Sequence, residues 1–95
     1  MADIRFKYKE DVIINKVIKY IASTYGEHYA GNNGTQVIDL WDSLGSLGTT
    51  SRDTAIKYLS RYGKKEGYNE KDLLKAVHYI VLMMYAAEQG NGDPQ

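Results

Sequence analysis

The sequence predicts an all-α protein, folded as a compact single-domain bundle of about four helices over residues 1–95. Apolar residues recur every three or four positions in several stretches, which is the period of a helix face. The one proline, Pro94, lies in the tail, and the nine glycines fall mainly between the apolar runs. With 95 residues, 43% of them hydrophobic, the chain is long enough to bury one core.

The first helix is predicted from Glu10 to Tyr25, after a flexible segment 1–9. Its inward face is expected to carry Ile14, Val17, Ile18, Ile21 and Tyr25. Gly26 is expected to end it, and residues 26–34 form a polar, glycine-rich loop.

A second, shorter helix is predicted to begin at a Thr35 cap and to end before Gly45. It is expected to be mostly buried through Val37, Ile38, Leu40, Trp41 and Leu44. The following stretch is rich in glycine and hydroxyl residues, which predicts a loop up to a cap at Thr50 or Ser51.

The third helix is predicted from Arg52 to Tyr62, with Gly63 in the left-handed conformation that ends many helices. Its inward residues are expected to be Ala55, Ile56 and Leu59. The fourth helix is predicted to begin after an Asn69 cap and to extend to about Gln89, before a flexible tail 90–95. It is expected to bury Leu73, Leu74, Val77, Ile80, Val81 and Met84.

Basic side chains concentrate around the end of the third helix. Lys57 and Arg61 lie four residues apart on one helix face, and Lys64 and Lys65 directly follow Gly63. The planar fork of Arg and the mobile charge of Lys suit a di- or triphosphate. The alternative is that these cations only stabilise the helix dipole, by about 0.3–1 kcal/mol. The segment is not a Walker loop, because it lacks the preceding glycine and the following Ser or Thr.

Three further groups could contribute to a site. Lys71, Lys75 and His78 are expected to form a polar stripe on the fourth helix, which would extend the cationic wall or would be a solvated helix face. His28 could titrate near neutral pH and Tyr29 could stack on a base, or both could anchor the glycine-rich loop. Asp39, with a second carboxylate one turn later, could bind Mg²⁺ together with a nucleotide, or could favour its helix through the dipole. No metal site of the protein's own is predicted.

Composition limits the class of partner. Net charge is zero, which argues against general nucleic-acid binding, although residues 52–75 carry seven basic and four acidic side chains. There is no cysteine and no apolar stretch that approaches the roughly 20 residues of a membrane span, so no membrane association and a cytoplasmic location are expected. Nine tyrosines favour a homo-oligomer, because tyrosine is enriched at protein interfaces.

An ordered series of short motifs runs through residues 27–85. It consists of His28-Tyr29, Gly34 with Val37-Ile38-Asp39, Ala55-Ile56-Lys57-Tyr58, Arg61-x-Gly63-Lys64-Lys65, and Asp72-Leu73-x-Lys75-Ala76 with Tyr79. This series resembles the small phage-encoded domain family known as SaV-like or nucleotide kinase-like. The resemblance implies a helical domain, with one relative described as a nucleoside monophosphate kinase that lacks a P-loop.

The resemblance also implies a set of recurrent polar positions, namely His28, Tyr29, Lys57, Arg61, Lys64, Asp72 and Lys75. The chain departs from the family at Thr54, where members often have Asn, and in its first helix, which lies outside the shared pattern. If that Asn contacts a ligand, the family chemistry does not transfer unchanged to this chain.

Three functions are compatible with these observations. The first is a phage-type nucleotide-binding protein that acts as a phosphotransferase on nucleoside monophosphates. In it, His28 or Asp39 would assist the acceptor or Mg²⁺. The nucleotide would be held by Tyr29, Lys57, Arg61, Lys64, Lys65, Lys75 and His78. The second is a non-catalytic oligomer that sequesters nucleotides, or cyclic nucleotide signals of antiviral defence, and the third is a helical adaptor for a host protein.

Overall fold

A computed structural model describes residues 3–28, 33–64 and 67–90 of the chain, without the side chains of 26–28 and 33–36. Four helices follow one another: α1 (Glu10–His28), α2 (Asn33–Ser43), α3 (Leu47–Arg61) and α4 (Glu70–Glu88). Within the described ranges, β pairing is limited to one isolated bridge between Lys64 and Gly67. The predicted all-α bundle is therefore confirmed. In the part of the chain that the structure describes, no helix has the length and hydropathy needed to cross a bilayer.

The centre of the fold is an antiparallel pair formed by α3 and α4. The two helices meet through small side chains, with Ser51 and Ala55 buried on α3 and Ala76 and Ala86 buried on α4. Small residues at a helix interface allow the two backbones to come close, so this pair can pack tightly with little aliphatic bulk. Leu47, only 1% exposed, is the largest buried aliphatic side chain in the described core.

A tight turn joins α3 to α4. Gly63 has a φ of +83°, as predicted, and its N–H donates a hydrogen bond of 2.8 Å to the carbonyl of Gly67. The Tyr68 ring lies against Gly63, where a Cβ atom would approach its Cε1 atom to 2.7 Å. The predicted cap is also present, since the Asn69 side chain accepts a hydrogen bond of 2.9 Å from the Lys71 N–H. These contacts fix the end of α3 beside the start of α4.

Three predicted helix boundaries are wrong. α3 begins at Leu47, not at Arg52. Leu47 and Gly48 are buried, and this packing stabilises a first helical turn that contains glycine and threonine residues. α1 continues to His28, past Gly26, which shows that a single glycine weakens a helix without ending it. α2 begins at Asn33, before the predicted Thr35 cap.

Much of the predicted core is exposed. α2 is not mostly buried, since Leu40 is exposed, and Leu44, which follows the helix, is 68% exposed. About half of the surface of Ile56 and Leu59 on α3 is also accessible, and Met84 on α4 is exposed. The reason is the hairpin itself: its small residues meet each other, which turns the bulky aliphatic side chains outward.

Candidate functional site

Three cationic side chains surround the ring of Tyr58 on α3. Measured to the centre of that ring, Lys57 Nζ lies at 4.8 Å, Lys75 Nζ at 5.3 Å and the Arg61 Cζ atom at 5.6 Å. Lys57 and Arg61 come from successive turns of α3, and Lys75 comes from α4 across the hairpin. We call Lys57, Arg61 and Lys75 the cation cluster. The structure thus brings together three of the residues that were predicted to bind a nucleotide.

A row of aromatic rings supports Tyr58. Its ring is nearly parallel to that of Tyr79 on α4, with an interplanar angle of 12° and centres 6.2 Å apart. Trp41 of α2 packs against Tyr79 at 6.5 Å. Burial raises the pKa of the Tyr79 hydroxyl above its usual value of 10.0, and the neighbouring Tyr58 raises it further. The Tyr58 ring is therefore stacked on Tyr79, which in turn contacts Trp41 of α2.

Arg61 is oriented without being neutralised by a close contact. Its Nε atom is buried and has no hydrogen-bond partner among the described residues, and the Oδ1 atom of Asp72 lies 3.9 Å away. That distance allows electrostatic attraction but is too long for a hydrogen bond. The Arg61 side chain is 41% exposed, whereas Asp72 is almost fully buried. Asp72 thus holds the guanidinium group beside Tyr58, while part of the Arg61 side chain remains accessible to solvent.

The two lysines of the cluster have no acidic partner within ion-pair distance among the described residues. Ion pairs form elsewhere, between Lys16 and Glu70 at 2.8 Å and between Arg52 and Asp53 at 3.7 Å. Like charges placed together repel one another, more strongly where they are partly shielded from water. Because the ammonium groups of Lys57 and Lys75 both lie near the Tyr58 ring, an anion bound there would relieve this repulsion.

The other nominated residues lie away from the cluster or outside the described part. Lys64 is exposed at the turn, and among the described contacts none joins it to the Tyr58 ring. Asp39 is exposed on α2, and no group of three potential metal ligands occurs within the residues that the structure describes. Tyr29 and Lys65 lie outside the described residues, as does the side chain of His28, the last residue of α1.

His78 does not lie on a polar stripe of α4, as the sequence suggested. It is buried, with its ring 6.1 Å from Tyr20 of α1 in an edge-on arrangement and 6.0 Å from Tyr79. The expectation failed because α1 covers this side of α4, and the spacing of residues within α4 carries no information about that contact. Nothing in the structure tests whether His78 contacts a ligand.

Sequence reasoning missed the residue at the centre of the cluster. Tyr58 lies between Lys57 and Arg61 in the chain, and its i+3 spacing to Arg61 was an available local signal. Its approach to Lys75 depends on the hairpin turn and was not readable from spacing. The family resemblance did include Asp72, but its position behind Arg61 was visible only in the structure.

Comparison of the sequence with protein families matches residues 23–81 to DUF3310, a family of proteins of unknown function. The chain belongs to this family. The DUF3310 region includes the end of α1, all of α2 and α3, and α4 as far as Val81, so it contains the whole cation cluster. Most of α1 precedes it. A search of the curated proteins finds no match, and a search of the solved structures finds none either.

The DUF3310 match shows that the region with the motif series is a domain shared with other proteins. It covers nearly the same residues as the motif series at 27–85, but it brings no activity, substrate or source with it. The nucleotide kinase-like and phage assignments stay predictions.

Proposed function

We propose that this protein binds phosphorylated small molecules, nucleotides above all, at the cation cluster of Lys57, Arg61 and Lys75. The observation that carries the proposal is the convergence of three positive groups on one aromatic ring, within 5.6 Å of its centre. Two of the three have no acidic partner among the described residues, so their charge is available to an anion.

Phosphate fits this arrangement better than a carboxylate does. A guanidinium can donate two parallel hydrogen bonds to phosphate oxygens, and each ammonium can follow a separate phosphate group. Even with the Asp72 carboxylate beside Arg61, the three cations leave a net positive charge, which attracts a multiply charged phosphate group. Tyr58 contributes a hydroxyl group, and the exposed Tyr68 near the same hairpin turn offers a flat apolar ring on which a base can stack.

The proposal has a catalytic form and a binding form. In the catalytic form, the protein is a nucleoside monophosphate kinase without a P-loop: the cluster neutralises the transferring phosphate, Mg²⁺ enters with the nucleotide, and His28 or Asp39 assists the acceptor. The wider nucleotide contacts would include Tyr29, Lys64, Lys65 and His78. In the binding form, the protein sequesters a nucleotide or a cyclic nucleotide signal in the cytoplasm of a phage host. The cluster geometry supports binding and needs no further residue for it, so binding is the core of the proposal.

The exposed apolar surface supports an additional element of the proposal, namely that the protein works as a homo-oligomer. Among the described residues, bulky apolar side chains such as Ile18, Leu59 and Met84 are exposed. A helical adaptor for a host protein would use the same kind of surface, so the identity of the partner has to be tested directly.

Titration calorimetry tests the binding form. We expect ATP and ADP to bind more tightly than AMP, and adenosine not to bind measurably, because the cluster recognises phosphate. Lys57→Gln and Lys75→Gln should each weaken binding about 10-fold or more, since a charge-assisted contact contributes about 1.5–3 kcal/mol. The matched control is Lys19→Gln, which removes an exposed charge from α1 and should leave the affinity unchanged.

Two results would count against the binding proposal: no phosphorylated compound binds, or both cluster variants bind as the unaltered protein does. A separate assay, transfer of radiolabelled phosphate from ATP to each nucleoside monophosphate, distinguishes the two forms. Product that disappears in Lys57→Gln supports the kinase, whereas tight binding with the ligand recovered unchanged supports sequestration.

A further inference from the structure

The ring of Tyr68, at the hairpin turn, is largely exposed and yet held in place. Tyr68 is 79% exposed, the highest value among the bulky apolar and aromatic residues that the structure describes. The Tyr62 ring packs against it edge-on, with ring centres 5.3 Å apart and an interplanar angle of 71°. Gly63 also lies against it, so closely that a Cβ atom there would approach Tyr68 Cε1 to 2.7 Å. Exposed side chains usually change rotamer freely, whereas these two contacts restrict the orientation of Tyr68.

Core packing does not explain this arrangement. Burial stabilises a fold in proportion to the apolar area that is removed from water, and the contacts with Tyr62 and Gly63 leave most of Tyr68 in solvent. Glycine at position 63 matters for the ring as well as for the turn, since a Cβ atom there would have to displace the ring. The turn thus presents a flat aromatic surface to solvent in a defined orientation. Aromatic rings presented in this way bind nucleic acid bases by stacking.

Tyr68 lies next to the cation cluster, at the same end of the hairpin. Tyr62 directly follows α3, four residues after Tyr58, so the two rings belong to successive turns of one helix face. Arg61, which belongs to the cluster, directly precedes Tyr62. The Lys64 N–H donates a hydrogen bond of 2.9 Å to the Arg61 carbonyl, which folds the turn back onto the end of α3. Through its contact with Tyr62, Tyr68 is therefore the next ring beyond Tyr58 in the direction of the turn.

We propose that Tyr68 is the base-binding residue of the phosphate site, which makes nucleotides its ligand class and separates them from inorganic polyphosphates and sugar phosphates. The phosphate groups lie at the cation cluster, and the base stacks on Tyr68 at the turn. Tyr62 and Gly63 are positioning residues that fix the ring before the ligand arrives. This inference rests on the proposed function, since the stacking ring adds a second contact region to the phosphate site.

The restricted orientation of the ring favours binding. A side chain that is already ordered loses little conformational entropy when the ligand binds, so more of the stacking energy appears as affinity. Stacking uses the flat face that all bases share and not their hydrogen-bonding edges. Tyr68 therefore distinguishes nucleotides from phosphates without a base more strongly than it distinguishes one base from another.

Titration calorimetry of the full chain with two probes, ADP and inorganic pyrophosphate, tests the stacking role. We expect the unaltered protein to bind ADP more tightly than pyrophosphate. Tyr68→Ala should weaken ADP binding about 5-fold or more and leave pyrophosphate binding unchanged, while Tyr68→Phe keeps a ring and should retain the affinity for ADP. The matched control is Tyr8→Ala, which removes an exposed tyrosine from the segment before α1 and should leave both affinities unchanged.

The two probes separate failure of this inference from failure of the proposed function. If both probes bind and Tyr68→Ala binds ADP as the unaltered protein does, Tyr68 does not hold the base, although phosphate binding stands. Equal weakening of both probes in Tyr68→Ala would also overturn the inference, because the ring would then act on the phosphate site or on the fold. If neither probe binds to the unaltered protein, the phosphate site itself is refuted. Circular dichroism should show that Tyr68→Ala keeps its helical content.

A fluorescent ring at position 68 reports stacking directly. The chain has one tryptophan, Trp41, so the additional fluorescence of Tyr68→Trp belongs to the new ring. We expect ADP to quench this additional fluorescence with the affinity that calorimetry gives, and pyrophosphate to leave it unchanged, because only ADP carries a base. Equal quenching by both probes, or no quenching at an ADP concentration that saturates the calorimetric titration, would contradict stacking of the base on this residue.

Discussion

The α3–α4 hairpin and α1 are both amphipathic in sequence, but they bury their apolar residues differently. The hairpin closes through Ser51, Ala55, Ala76 and Ala86, small residues that are covered within the monomer. α1 buries Val17 and leaves Ile14 and Ile18 exposed. Helical periodicity identifies a face that avoids water, but the size of the residues on that face decides how closely a neighbouring helix of the same chain can approach.

The two regions also differ in their relation to the DUF3310 family. The match contains all of α3, α4 as far as Val81 and the whole cation cluster, whereas most of α1 precedes it. The following predictions test the packing and the binding role of the hairpin, starting with the largest expected effect.

Leu47→Ala should be the most destabilising change, because Leu47 is almost fully buried at the start of α3. Removing a buried leucine side chain costs about 2–5 kcal/mol. Leu44→Ala makes the same chemical change at a largely exposed position just before it and should alter the free energy of unfolding by less than about 0.5 kcal/mol. Urea denaturation followed by circular dichroism measures both. Equal losses of unfolding free energy in the two variants would contradict the burial of Leu47 and the exposure of Leu44.

Asn69→Ala should destabilise the hairpin by about 1 kcal/mol, since it removes the hydrogen bond to the Lys71 N–H that caps α4. Asn69→Asp keeps an acceptor at the cap and should retain most of the stability. The same urea titration distinguishes them. If alanine and aspartate behave alike, the cap does not help to hold the hairpin.

The hairpin should lose stability at alkaline pH through Tyr79. Burial, and then Tyr58, raise the pKa of Tyr79 in the folded protein above the value of 10.0 that it has when exposed. The folded state thus binds this proton more tightly, so its contribution is complete below pH 10 and is lost as the pH rises through the folded-state pKa. Tyr79→Phe should show a smaller fall in melting temperature between about pH 9 and pH 11. An unchanged pH profile would contradict the burial of this hydroxyl.

The smallest effect on stability is expected from the cluster lysines. Without a ligand, Lys57→Gln and Lys75→Gln should raise the free energy of unfolding by less than about 0.5 kcal/mol, because each removes repulsion between the two lysines. With ADP present at about 100 times its dissociation constant, the unaltered protein should gain about 2.7 kcal/mol. Each variant should lose most of that gain at the same ADP concentration. A large loss of stability without ligand would mean that these lysines hold the fold together.

The features that the sequence predicted correctly depend on a few neighbouring residues. The four helices were predicted from local periodicity. The left-handed conformation of Gly63 was predicted because a glycine directly follows the third helix. The Asn69 cap was predicted from its position before an apolar run. Lys57 and Arg61 were paired correctly by their helical spacing. In each case the determining contacts span one helical turn or one tight turn.

The features that the sequence did not predict depend on contacts between helices. His78 is buried because Tyr20 of α1 lies over it, and Leu44, the residue after α2, is exposed because no described helix covers it. Tyr58 became the centre of the cluster only when the hairpin brought Lys75 to the ring. Periodicity within one helix contains none of this information.

The most direct test of phosphate binding at the cation cluster is the response of the arginine side chains to ADP in heteronuclear NMR. The chain has three arginines, Arg5, Arg52 and Arg61, and only the third belongs to the cluster. In ¹⁵N-labelled protein we expect the Arg61 Nε–H resonance to shift and saturate with ADP, with Arg5 and Arg52 unmoved and adenosine without effect. An Arg61 resonance that stays in place while ADP binds, or that stays in place at millimolar ADP, would contradict the account.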